Sequence, residues 1–191
     1  MIIKIDFLKR IFKALNKADI PYMLSGSIGS SFHGRPRATN DADIVIAPSQ
    51  EQINAFVESL GKDYYVSLDA VQNAYKNNSM FNVIDIKTGW KADFIFRKKR
   101  AFSSEEFQRR RSVNLVGLDI WIVSPEDTIL SKLEWSKNHE SKQQFSDALG
   151  VAIVQWTTLD KEYLNKWAKQ LQVQSSLEQL LEKAKKIIES G

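Results

Sequence analysis

Asp41 and Asp43 stand one residue apart at the head of an apolar run, Asp41-Ala42-Asp43-Ile44-Val45-Ile46. Thirteen residues separate them from a turn of small residues, Ser25-Gly26-Ser27, and two arginines, Arg35 and Arg37, lie in between. Alternation along a strand puts residues i and i+2 on one face, so both carboxylates point the same way while Ala42 and Ile44 face the other side. Two like charges held that close raise one pKa unless a cation neutralises them. A hard divalent cation, Mg2+ or Mn2+, prefers oxygen ligands and is the natural partner. The small-residue turn offers backbone N–H groups to an anion, and glycine lets the backbone approach closely. Metal plus anion cradle points to a nucleoside triphosphate.

Gly26-Ser27 followed by Asp-x-Asp at this spacing resembles the DNA polymerase β-like nucleotidyltransferase superfamily. In particular, Arg37-Ala38-Thr39-Asn40-Asp41-Ala42-Asp43 is similar to the Arg-x-Thr-x-Asp-x-Asp segment of small bacterial nucleotidyltransferase-like proteins, including abortive-infection toxin enzymes. The resemblance covers roughly residues 20–150. It implies a third carboxylate on a neighbouring strand, and Asp93 in Lys91-Ala92-Asp93-Phe94-Ile95-Phe96 matches. A carboxylate among such residues is expensive to bury without a partner. The implied roles are metal binding and catalysis for Asp41, Asp43 and Asp93 in a two-metal site, with Asp93 on the acceptor side. Gly26, Ser27 and Arg37 would bind the nucleotide. The resemblance also implies a lysine that reaches the nucleotide phosphates and an aspartate on the next helix, matched by Lys132 and Asp147. The segment Ser141-Lys142-Gln143-Gln144-Phe145-Ser146-Asp147 departs from the Arg and Lys-Asp pair of the toxin enzymes.

Each of these residues also has a plainer reading. Gly26-Ser27 is an ordinary strand-to-helix turn with a serine N-cap. Arg35 and Arg37 lie in a solvated loop, and Lys132 is an exposed helical lysine. Thr39 shapes its loop, and His33 packs at a helix end. The basic stretch from Arg97-Lys98-Lys99-Arg100 to Arg109-Arg110-Arg111 could track a nucleic-acid backbone. Its interruption by Glu105-Glu106, Phe102 and Phe107 reads better as a solvated helix with an apolar face. Trp121, Trp156 and Trp167 read as packing residues rather than stacking platforms.

The 191 residues, 43% hydrophobic and 26% charged, suit a globular domain with a real core. With no cysteine and two histidines, disulfides, thiolate zinc sites and an imidazole-rich metal site are excluded. The N-terminal run mixes charge into its apolar positions, unlike a signal peptide, and no apolar stretch is long enough to span a membrane. A cytoplasmic protein is the expectation. The net charge of +4 permits a phosphate-rich partner without demanding one.

The periodicities predict helices over residues 4–18, 28–33 (closed by Gly34) and 50–60, the last with a Ser49/Gln52 capping box and Gly61 as its stop. They predict strands over 21–24, 41–47, 80–86, 90–96, 113–116 and 118–123, with hairpin turns at Thr88-Gly89 and Gly117. Ser124-Pro125-Glu126-Asp127 is a strong helix start, and helices follow over 125–138, 142–155, 160–171 and 176–189. The expected fold is α/β (α+β): a nucleotidyltransferase fold with a short mixed sheet flanked by helices over 1–123, plus a C-terminal helical bundle over 124–191. The implied reaction is metal-dependent transfer of a nucleoside monophosphate from an NTP to an acceptor hydroxyl, on RNA, a protein side chain or a small molecule such as an aminoglycoside. The alternative is a non-catalytic protein of this fold that binds a nucleotide or a partner protein.

Overall fold

The structure is a computed structural model that describes residues 5–115, 117–139 and 141–190, without the side chains of residues 138 and 139. Lys4 and Val116, the expected ends of the first helix and of one strand, lie outside the described residues. The chain divides into two compact units, Met1–Ser25 with Ala38–Ile122, and Gly26–Arg37 with Val123–Gly191.

The first unit holds a mixed sheet, as the alternating runs predict. Its strands are β1 (Tyr22–Leu24), β2 (Asp41–Ile46), β3 (Tyr64–Tyr65), β4 (Met80–Asp85), β5 (Lys91–Phe96), β6 (Arg111–Asn114) and β7 (Asp119–Ile122), in the spatial order β3-β4-β5-β2-β1-β7-β6. β2 runs parallel to β5 and β1 parallel to β7, while the other neighbours are antiparallel. Helix α1 (Ile5–Lys17) buries Leu8, Ile11, Phe12 and Leu15 of the stripe Ile5, Leu8, Ile11, Phe12 and Leu15 that its periodicity predicts, together with Phe7, while Ile5 is half-buried. Helix α3 (Gln50–Leu60) carries both halves of the Ser49/Gln52 capping box.

β3 and helix α4 (Leu68–Asn77) of this unit are not among the expected elements. α4 buries only Val71 and Ala74, too narrow a stripe to announce a helix by period, although Ser67 caps its start and Asn78 ends it in the left-handed conformation. Helix α5 (Ala101–Gln108) occupies the basic stretch and buries Phe102 and Phe107, as the apolar-face reading has it.

Helices α1, α3 and α4 pack one face of the sheet. Phe56 of α3 lies against Phe94, Tyr75 of α4 against Phe96 and Phe12 of α1 against Tyr22, with ring centroids 5.0–5.7 Å apart. Ala42, Ile44, Ile46, Ala92, Phe94 and Phe96 are all buried on that face. The alternate residues of β2 and β5 therefore turn to the opposite face.

The second unit is helical: α2 (Gly26–His33), α6 (Pro125–His139), α7 (Lys142–Val154), α8 (Lys161–Gln170) and α9 (Gln174–Ser190). α2 begins two residues before its predicted start, and Gly26 adopts φ 58°, where an L side chain is strained. At the head of α6, Ser124 Oγ accepts from the Asp127 amide at 3.1 Å, and the buried Asp127 carboxylate accepts from Tyr163 Oη at 2.6 Å. His33 is buried, as its packing role predicts, with Nε2 2.6 Å from the Val123 carbonyl oxygen.

Gly34 follows α2 for a reason other than the expected cap. A Cβ there would meet the Val151 backbone nitrogen at 2.6 Å and Gly150 C at 2.8 Å, so only glycine lets this segment approach α7. At Gly150 a Cβ would find its nearest atom at 3.4 Å, an ordinary contact. Chemical denaturation should show Gly34→Ala destabilised by about 1–3 kcal/mol or more, as overpacking demands. Gly150→Ala, inside a helix, should be neutral or stabilised by up to about 1 kcal/mol.

Candidate active site

The parallel pairing of β2 with β5 sets Asp43 directly beside Asp93 and Asp41 beside Lys91. In-register residues of neighbouring strands point to the same face, and strands lie about 4.8 Å apart. Asp41, Asp43 and Asp93 therefore share the face opposite the aromatic core. The antiparallel pairing of β4 with β5 adds Asn82 beside Asp93. At the upstream edge of this row, the Ser25 amide donates to the Asp43 carbonyl oxygen at 2.9 Å, tying the end of β1 to the carboxylate strand.

One lysine partly offsets the three carboxylates of this face. Lys91 Nζ lies 3.1 Å from Asp93 Oδ2 and 3.8 Å from Asp41 Oδ1. Burial pushes the Lys91 pKa down, but the hydrogen bond and charge of Asp93 and the charges of Asp41 and Asp43 outweigh it and hold the pKa above the usual lysine value. All three carboxylates thus act on one cationic group. Asn82 Nδ2 donates to the other oxygen, Asp93 Oδ1. The Asp93 side chain is 12% exposed and that of Asp41 is 50% exposed. Among the described residues, no three His, Cys, Asp or Glu side chains are grouped to hold one ion. The donor set on the face is nevertheless all carboxylate oxygen, the chemistry a hard divalent ion takes, and it already gathers around a cation.

Lys91 and Asn82 are polar residues of this face to which the sequence assigned no role. Lys91 is two residues before Asp93 on the same strand, so alternation alone puts it on the carboxylate face. Asn82 follows from the register of the Thr88-Gly89 hairpin.

The second unit gathers the remaining expected residues around Asp147, whose side chain is 6% exposed. Lys132 Nζ lies 3.0 Å from Asp147 Oδ2, and Arg37 Nε lies 3.1 Å from Oδ1 and 3.3 Å from Oδ2. Gln143 Nε2 donates to Oδ1 at 2.7 Å. Arg37 Nη2 also donates to Ser27 Oγ. Lys132 is therefore not the exposed helical lysine of the plainer reading: its side chain is 9% exposed and paired. Burial pushes the Asp147 pKa up, but hydrogen bonds from Gln143, Lys132 and Arg37 and the charge of Lys132 carry it below the usual aspartate value. One carboxylate thus orients a lysine, an arginine and, through the arginine, the serine hydroxyl next to Gly26. Asp147 and Gln143 both lie within the segment that departs from the toxin enzymes.

No protein-family model and no curated protein matches the sequence. Solved structures match by shape. The antibiotic-resistance factor ANT(2'')-Ia in solution is similar at TM-score 0.58 and 13% identity, covering 98% of each chain. Crystalline ANT(2'')-Ia in complex with adenylyl-2''-tobramycin is similar at TM-score 0.57 and 14% identity, covering 88% of this chain and 97% of that one. An antigenic nucleotidyltransferase-like protein from Paracoccidioides brasiliensis gives TM-score 0.52 and 15% identity over 89% and 88%. The chain therefore has the nucleotidyltransferase fold. None of the helices among the described residues is long and apolar enough to cross a membrane.

The depressed Asp147 pKa stabilises the fold above the unfolded aspartate value of about 3.9, and that contribution is lost as pH falls through the folded value. Asp147→Asn should cost about 3–5 kcal/mol at neutral pH, because the buried Lys132 ammonium, and with it the part-exposed Arg37, loses its partner. It should also flatten the acid limb: denaturation followed from pH 7 down to pH 2 should show the parent losing more stability below about pH 4 than the variant does.

Proposed function

We propose that this protein is a metal-dependent nucleotidyltransferase that moves a nucleoside monophosphate from an NTP to an acceptor hydroxyl. The observation that carries the reading is the register that aligns Asp43 with Asp93 on the face of Asp41, within a nucleotidyltransferase fold. In the reaction the acceptor oxygen forms a bond to the α-phosphorus, the bond from that phosphorus to the bridging oxygen breaks, and pyrophosphate leaves. The hydroxyl proton passes to Asp93.

Asp41 and Asp43 are the residues that would hold Mg2+ or Mn2+. Bound there, the ion would offset the charge of the triphosphate and polarise the phosphorus under attack. The reading assigns the nucleotide phosphates to Gly26, Ser27, Arg37 and Lys132. Gly26 lies at the start of an eight-residue helix, whose leading N–H groups suit an anion. Asp147 supports this assignment as a positioning residue, since it fixes the lysine and arginine head groups in advance. Asn82 and Lys91 hold both oxygens of Asp93 in one orientation. The acceptor is RNA, a protein side chain or a small polyol or aminoglycoside, the last being the kind of group that tobramycin presents in the ANT(2'')-Ia complex.

The test incubates the protein with α-labelled NTPs, Mg2+ or Mn2+, and separate RNA, protein and aminoglycoside acceptors. Label should move to one acceptor class. Asp43→Asn should reduce transfer to background, and Asp93→Asn should slow it by about 10²–10⁴-fold, the usual worth of a positioned base. Nucleotide binding without transfer to any acceptor would favour the non-catalytic alternative.

A further inference from the structure

Both oxygens of the Asp93 carboxylate are engaged. Asn82 donates to Oδ1 and Lys91 donates to Oδ2, the latter at 3.1 Å. The same ammonium reaches Asp41 Oδ1 at 3.8 Å, so it lies between the strand that carries Asp41 and the carboxylate beside Asp43. A second divalent ion shared by Asp93 and its neighbours would have to use the oxygens that Lys91 already occupies. Asp41, by contrast, keeps half of its side-chain surface open.

Resting on the nucleotidyltransferase reading, we propose that Lys91 takes the place of one of the two divalent cations: the site holds a single metal ion on Asp41 and Asp43, and the Lys91 ammonium supplies the second positive charge at Asp93. The substitution is chemically sound. An ammonium is a compact cation with three donors and no acceptor, so it can bind two carboxylates at once. It is also tethered, so its local concentration does not depend on free metal. The second positive charge is then present before any ligand arrives and is single rather than double. The acceptor side of the reaction draws on this fixed charge, and only the nucleotide side draws on a bound ion.

Electron paramagnetic resonance of Mn2+ bound together with α,β-methylene-ATP, which binds but cannot transfer, tests this directly. The parent should bind one Mn2+ per chain and give the spectrum of an isolated ion. Lys91→Met and Lys91→Gln should each bind two, and ions about 3.5–4 Å apart give a spin-coupled spectrum. Lys91→Arg, which keeps the charge, should stay with one. The Lys91 side chain is one-third exposed, so these variants should fold, and a melt without metal checks each. A spin-coupled pair in the parent overturns the proposal while leaving the nucleotidyltransferase reading intact. So does a single ion in both Lys91→Met and Lys91→Gln. A parent that binds no Mn2+ beyond what the free nucleotide analogue holds overturns the metal reading itself, and this proposal falls with it.

Discussion

The site depends on one constraint: β2 and β5 pair in parallel with Asp43 opposite Asp93. That register is set by the apolar face, where Ile44 meets Phe94 and Ile46 meets Phe96 beneath α3 and α4. A slip of one residue would turn every side chain of the strand to the other face, burying the carboxylates and exposing the core. Packing the hydrophobic side thus forces three carboxylates onto one small area of the other side. Unit charges about 5 Å apart repel by about 3 kcal/mol at an effective dielectric of 20, so the arrangement needs positive charge to persist. Lys91 supplies it, and its raised pKa reflects how strongly the three carboxylates act on it. Repulsion among bare carboxylates, which Asp-x-Asp alone suggests, is therefore tempered before any ligand binds.

The second unit applies the same electrostatics with the signs reversed. One buried carboxylate, Asp147, collects Lys132 and Arg37, and Arg37 carries the interaction on to Ser27. The Lys132 ammonium could not be held in so buried a setting without it. Gly34 is the steric counterpart, since it lets the segment leading to Arg37 pass against the α7 backbone. Rigid head groups lose little freedom when they meet a ligand, which is the sense in which this cluster is preorganised.

Much of this was legible in the sequence because strand alternation is a strict period. It placed Asp41 and Asp43 on one face, and the capping box and Ser124-Pro125 marked helix starts that the structure keeps. What stayed hidden depends on contacts distant in the chain. Arg37 and Asp147 meet across 110 residues, and no local pattern announces that contact. The sequence left Lys132 open between a phosphate-binding and an exposed lysine, because a helical period does not say which face a partner helix covers. α4 was passed over because its apolar stripe is two residues wide. Lys91 is the instructive case: the same alternation that aligned Asp41 with Asp43 aligns Lys91 with Asp93, and reading the strand for all its charges rather than for its carboxylates would have found it.

The central claim is that the β2–β5 carboxylate face binds a metal–nucleotide complex. Amide NMR of the labelled protein with substoichiometric Mn2+ and a non-transferable ATP analogue tests it most directly, because the unpaired electrons broaden resonances near the ion. The account predicts that broadening appears only when nucleotide and Mn2+ are both present, that among the strands it is strongest at residues 41–43 and 91–93, and that it vanishes there in Asp43→Asn. Broadening centred elsewhere in the molecule, or undiminished at those residues in Asp43→Asn, would contradict it.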